Sequence, residues 1–140
     1  MIDQIKNKEN VMILFLNTFY GWDLTPSEYE FEHYDAYGLS PKKTNSVMEM
    51  KFRDTHYSTM MLEKMKYDHL MSLPEDILKF YLVQDPTGIY IFWLQGIDKS
   101  SLKVNKIPCP GTTFWGGEKV KKEVYLLPKH YASILILNQK

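Results

Sequence analysis

Asp35, Glu49 and Lys51 are the residues whose types and spacing best suit chemistry. Glu49 and Lys51 stand two apart in "VMEMKFRDTHY" (47–57). In a strand they share one face with Arg53, while Met48, Met50 and Phe52 share the other. If the preceding "EYEFEHYDAYG" (28–38) pairs with this run in a hairpin centred on Lys42, Asp35 falls opposite Glu49, His33 opposite Lys51 and Tyr37 opposite Val47. Directly opposed Cβ atoms lie about 5 Å apart. Two carboxylates at that separation repel unless a cation sits between them. A hard divalent ion such as magnesium takes one or two carboxylates with carbonyls and waters. Lys51 would then orient the attacking water, or neutralise charge that builds on a phosphate. These are the parts for metal-assisted phosphodiester hydrolysis. Glu49-Met50-Lys51 is the only acidic-x-Lys tripeptide in the chain. Since about two would arise by chance at this composition, the tripeptide by itself is weak. A solvated sheet face with cross-strand ion pairs accounts for the same residues.

The elements that must position these residues are legible in outline. Residues 3–19 place Ile5, Val11, Met12, Phe15 and Phe19 at mainly helical spacings, with Gly21 as a stop. The aromatic run ending at Gly38 has period two, and "LSPKKTN" reads as the loop before the second strand. Asp54 or Thr55 can cap a helix starting near His56 or Tyr57 and running towards Pro74. Its stripe would be Met60, Glu63, Lys64, Tyr67, Leu70 and Met71. "ILKFYLV" and "GIYIFWLQGI" are apolar strands joined through Asp85-Pro86-Thr87-Gly88, which suits a type I turn. A polar stretch containing Pro108, Pro110 and Gly111 leads to a last strand, "EKVKKEVYLL", and the tail from His130 to Leu137 fits strand or helix. The order α-β-β-α-β-β-β predicts an α/β (α+β) sheet with helices against it.

Composition narrows the function classes. A chain of 140 residues, 44% hydrophobic and 24% charged, reads as one folded domain with a single core. Lysine plus arginine equals aspartate plus glutamate, 17 each, which argues against non-specific nucleic-acid binding driven by overall charge, though not against a local basic patch. Cys109 is the only cysteine, so no intramolecular disulfide forms. The apolar stretch "VMILFLNTFYGW" is too short and too interrupted to span a bilayer and has no small-residue cleavage site. A soluble protein of the cytoplasm, with no membrane partner, is expected.

The order helix, strand with "YDAYG", loop, strand with "MEMKFR", then "MLEKMKYDHL" resembles the PD-(D/E)XK nuclease superfamily, the restriction-endonuclease-like fold. The resemblance spans about residues 1–97 in element order, on a short and degenerate motif. It implies a single nuclease-like domain over 1–140, a central mixed sheet flanked by helices, and magnesium- or manganese-dependent cleavage of DNA. Carried over, Asp35 and Glu49 bind the metal, the Met50 carbonyl is a further ligand, and Lys51 completes the site. Small stand-alone bacterial or phage-type members read E-x-K-x-R followed by E-x-x-K-Y, matched here by Arg53, Glu63, Lys66 and Tyr67. Such a member would work in a bacterial cytoplasm, with a phage-encoded origin equally compatible. Tyr34, rather than the family's usual proline, precedes Asp35. Where many members offer a first-helix glutamate, this chain has only Glu9; without it, one metal is expected rather than two. Cutting two strands at once would require a homodimer.

Other residues carry a plainer explanation beside the functional one. Arg53 could grip a phosphate or pair with Asp54 or Glu63. Lys66 and Tyr67 could approach the scissile phosphate, or be a solvated lysine and a core tyrosine. Lys42 and Lys43 occupy the loop between the acidic strands, where a nucleic-acid backbone would pass. Lys119, Lys121, Lys122 and Lys129 form a basic cluster that an edge-protecting strand explains at least as well. "GTTFWGGEK" lacks the Lys-Ser/Thr pair of a phosphate-binding loop, and the four histidines show no zinc spacing. The competing reading is a non-catalytic binding protein on the same fold, such as a phage-encoded inhibitor or an accessory DNA-binding factor.

Overall fold

The computed structural model describes residues 2–28, 34–110 and 119–138. The first helix, α1 (Ile2–Phe19), packs on a six-stranded sheet made of β1 (Asp23–Pro26), β2 (Ala36–Leu39), β3 (Asn45–Phe52), β5 (Leu78–Asp85), β6 (Gly88–Trp93) and β9 (Ile134–Leu137). Their spatial order is β1-β2-β3-β5-β6-β9. Only β3 and β5 run parallel; every other neighbouring pair in this sheet is antiparallel. The crossover between them carries β4 (Thr59–Glu63) and α2 (Lys64–Met71). With β7 (Lys103–Pro110) and β8 (Lys119–Pro128), β4 builds a second, three-stranded sheet in the order β4-β8-β7.

Both faces of the large sheet are covered, so β3, β5 and β6 are apolar almost throughout. On one face Met12, Ile13 and Leu16 of α1 meet Met48, Met50, Phe80, Leu82, Ile89 and Ile91. On the other, Val47, Tyr81, Val83, Tyr90 and Phe92 meet Met60 and Leu62 of β4, Tyr67 and Leu70 of α2, and Tyr125 and Leu127 of β8. Glu49, Lys51 and Arg53 emerge on this second side by strand alternation.

The hairpin register matches the sequence expectation. Tyr37 pairs with Val47, and Ala36 with Met48, around the loop containing Lys42. Gly38 is obligatory there: at φ 150°, a Cβ would stand 2.0 Å from the Asp23 carbonyl oxygen of the adjoining strand. Gly21, at φ 78°, ends α1 as expected. Pro86 and Thr87 make the two-residue turn between the paired Asp85 and Gly88.

Three expectations change. The buried stripe of α1 is Glu9, Met12, Ile13 and Leu16, whereas Ile5, Val11 and Phe19 are exposed. That helix has apolar residues on several sides, so only the sheet beneath it selects the phase. The segment expected as one long helix from residue 57 begins instead as β4, whose burial alternates along Thr59–Glu63 before α2 starts at Lys64. Met60 fits both the helical stripe and a period-two run with Leu62, and pairing with β8 decides between them. Within the polar stretch before "EKVKKEVYLL", Lys103–Pro110 form the edge strand β7, a position that tolerates proline. The strands β1, β4 and β7 are thus added to the expected order. Of the aromatic run, residues 29–33, and with them His33, lie outside the described residues.

Candidate active site at the edge of strand β3

The site exists because β2 stops while β3 continues. The last pair of that ladder is Ala36 with Met48, leaving the next stretch of the β3 edge without a strand partner. Asp35 fills the gap with its side chain. Its N–H donates to the Met48 carbonyl at 2.9 Å, the chain bends, and Oδ2 accepts the Met50 N–H at 2.7 Å. Asp35 therefore sits at the sheet edge rather than continuing the ladder opposite Glu49. Since a strand residue's N–H and C=O point to the same side, the Met50 carbonyl also faces this edge.

Glu49 is buried at 6% exposure, and its Oε1 accepts a hydrogen bond from Lys66 Nζ at 2.8 Å. Lys66 reaches it from the first turns of α2. That helix is held in turn by Lys79 of β5, which is 1% exposed and donates to the Leu73 and Pro74 carbonyls at 3.1 and 2.6 Å. From the opposite layer, Glu9 of α1 points into the same place, 6% exposed, with Lys6 Nζ 3.6 Å from its Oε1. Ile5, Lys8, Glu9, Asp35, Lys66 and the strand from Glu49 to Phe52 enclose a cavity of about 220 Å³.

Electrostatics in this cavity are dominated by crowded carboxylates. Burial, then the charge of Asp35, pushes Glu49 up to about 7 against the pull of Lys66. Burial and Asp35 likewise push Glu9 up to about 7, with Lys6 opposing. On Lys66, burial works against the ammonium, but Glu49, Glu63 and Asp35 outweigh it and raise its pKa. Lys51 moves the other way: desolvation, then the charges of Arg53 and Lys66, lowers its pKa. Among the described residues Lys51 forms no ion pair, and the buried Arg53 Nε has no hydrogen-bond partner. The Arg53 guanidinium makes a long contact, 3.5 Å, with the Met61 carbonyl and lies beside the Tyr81 hydroxyl. Two cations without a carboxylate partner therefore flank carboxylates that are short of positive charge.

The donor set suits a hard divalent ion. Asp35, Glu49 and the Met50 carbonyl supply oxygens on one edge, and magnesium needs no more than one or two carboxylates beside waters. No group of three or more His, Cys, Asp or Glu side chains among the described residues stands ready as a metal cage. The Lys66 ammonium already sits on Glu49, so an ion there would share or displace it.

Not every residue singled out in the sequence comes to this place. Glu63 lies nearby, lining a small cavity with Lys51, Arg53 and Lys66, and is paired to Lys122 at 3.4 Å. That pairing also commits one member of the basic cluster. Tyr67 belongs to the core: it is 4% exposed and packs edge-on against Tyr125 at 4.9 Å. Lys42 and Lys43 occupy the opposite end of β3, so strand rise puts Lys43 roughly 25 Å from Lys51. Glu9 is the reverse case, an acid of uncertain register in the sequence that the packing of α1 delivers to the site.

No protein-family model matches the chain, and no curated protein matches its sequence. Solved structures do match. The Holliday junction resolvase Hjc of Archaeoglobus fulgidus superposes with a TM-score of 0.56 at 12% identity, covering 91% of this chain and 93% of that one. At that identity the likeness is one of fold. The chain has the restriction-endonuclease-like architecture, a mixed α+β fold with a mixed central sheet and flanking helices.

Proposed function

We propose that this protein is a metal-dependent nuclease of the PD-(D/E)XK type that hydrolyses phosphodiester bonds in DNA. The observation that carries the reading is the junction of Asp35, Glu49 and Glu9 with the unpaired Lys51 where β3 outruns β2. A resolvase shares the fold, which favours DNA as the substrate class. Asp35, Glu49 and the Met50 carbonyl would hold magnesium or manganese, with Glu9 a further carboxylate within reach. The ion supplies Lewis-acid activation of the phosphoryl group and lowers the pKa of water.

The chain's own groups do the rest. Asp35 is locked on the Met50 N–H, so its remaining oxygen keeps a fixed aim. Lys51 assists the attacking water as an ammonium, and its lowered pKa makes that ammonium a readier proton donor than an ordinary lysine. Arg53 meets the phosphate with donors that the fold leaves unused. Lys66 holds Glu49 as folded, and would be free to meet the substrate's charge if a divalent ion neutralised that carboxylate instead. Water attacks phosphorus, one P–O bond breaks, and the leaving oxygen takes a proton. A single chain presents one such site, so cutting both strands of a duplex or junction would take two copies.

The test is incubation with single-stranded, duplex and branched DNA and with RNA, with and without manganese. Cleavage that needs the metal and vanishes in D35A and E49A is expected; metal-independent cleavage, or activity retained in both variants, overturns the reading. The Lys66–Glu49 ion pair, which fills the acidic site with a built-in cation, favours a second reading, a DNA-binding protein without catalysis. Calorimetric titration with manganese separates the two, since only the catalytic reading requires the ion to bind.

A further inference from the structure

A second polar cluster lies on the same face of the large sheet, just beyond Lys51 and Arg53. Lys51 pairs with Val83, and Asp85 follows two residues later on β5, on the same face by alternation. The chain leaving β3 stays beside β5, with the Arg53 N–H donating to the Gln84 carbonyl at 2.8 Å. His56 then turns back. Its Nδ1 stands 2.7 Å from Asp85 Oδ2 and 3.2 Å from Thr87 Oγ1, and its ring stacks on Tyr90 at 6.1 Å. The Asp85 side chain is 0% exposed, whereas that of His56 keeps 28%.

The β5–β6 turn does not need His56. The Thr87 N–H and hydroxyl both donate to Asp85 Oδ1, at 2.8 and 2.6 Å, and close the turn alone. Oδ2 is left for a residue 29 positions away. With Nδ1–H directed at a buried carboxylate, the open position on the ring is Nε2, which has no hydrogen-bond partner among the described residues. A carboxylate behind Nδ1 favours the imidazolium, and an imidazolium offers its Nε2–H to an anion. The step from the level of Lys51 to that of Asp85 is about 7 Å along the strand, the scale of one nucleotide.

We propose that His56, oriented by Asp85, contacts a backbone phosphate of the bound DNA next to the scissile one, extending the cationic row of Lys51 and Arg53. The identity of the ligand rests on the nuclease reading. The groups facing His56 are Asp85 of β5, Thr87 of the turn and Tyr90 of β6, and Asp85 is the only carboxylate among them. A protonated ring makes the stronger contact with a phosphate, and histidine is the side chain type whose charge can change between pH 6 and pH 8.

The experiment is fluorescence anisotropy of a labelled DNA duplex with the full chain, no divalent ion added, across a salt series at pH 6 and pH 8. At pH 6, H56Q is expected to bind about 3- to 10-fold more weakly, and its slope of log K against log salt to be shallower by about 0.9, the signature of one lost phosphate contact. At pH 8 the two proteins should coincide. D85N should follow H56Q at pH 6. Unchanged affinity and slope in H56Q at pH 6 overturns the contact. An equal loss at both pH values with an unchanged slope also overturns it, and assigns His56 to tethering the β3–β4 connection. A chain that never cleaves DNA yet shows the pH 6 difference keeps this contact and loses the nuclease reading. Cleavage with no such difference does the reverse, and no DNA binding by the unmutated chain sinks both.

Discussion

Glu49 and Asp85 are buried carboxylates on the neighbouring strands β3 and β5, 6% and 5% exposed, yet their surroundings drive their protons in opposite directions. Burial alone would raise Asp85, but hydrogen bonds from the Thr87 hydroxyl, from His56 and from the Thr87 N–H hold it below the usual carboxylate range. Glu49 receives one such bond, from Lys66, and faces the charge of Asp35; its pKa rises to about 7. Similar exposure thus accompanies opposite shifts, because the number of donors and the sign of the neighbours are set against the cost of burial. Asp85 is satisfied as folded. Glu49 is relieved by a proton or by further positive charge, as the proposed metal site requires.

The sharpest way to break this comparison is to remove each acid in turn. D35A and E49A are expected to lower manganese-dependent DNA cleavage at least roughly 100-fold while leaving the circular dichroism spectrum unchanged. K51A should also lose roughly 100-fold in kcat, because the cation it contributes is unpaired in the fold and so costs little stability. D85A should behave oppositely, losing about 2–4 kcal/mol of stability in urea denaturation, since its removal leaves the half-buried donors of Thr87 and His56 without their acceptor. Equal stability losses for E49Q and D85A would dissolve the distinction between a crowded acid and a satisfied one.

Acidity gives a finer test. Glu9 and Glu49 have folded pKa values raised from 4.5 to about 7, so the folded chain binds more protons than the unfolded one in that interval. Stability without metal is therefore greatest near and below pH 4.5 on this account and falls as pH rises through about 7, by on the order of 1–3 kcal/mol. E49Q should flatten that fall in thermal melts. Conversely, manganese should raise the melting temperature more at pH 8 than at pH 5.5, because the ion competes with the protons on these carboxylates. A stabilisation by manganese that is larger at pH 5.5 would contradict the site.

The sequence by itself determined the hairpin and its register. The period-two runs, the glycine at 38 and the loop around Lys42 admit few pairings, and Tyr37 does stand opposite Val47. It also determined that Glu49, Lys51 and Arg53 share a strand face, since alternation is a property of the strand alone. Three things needed the tertiary structure. The phase of α1, which brings Glu9 in and leaves Val11 out, was decided by the sheet beneath it, because a helix with apolar residues on several sides does not choose its own buried face. The change from helix to strand at Thr59–Glu63 was decided by pairing with β8, more than 50 residues later, where no local signal reaches. The cluster of His56 with Asp85 was invisible because the two are 29 positions apart and meet only where β3 and β5 run side by side. Local periodicity thus set each strand's faces, and long-range packing chose which of those faces meet.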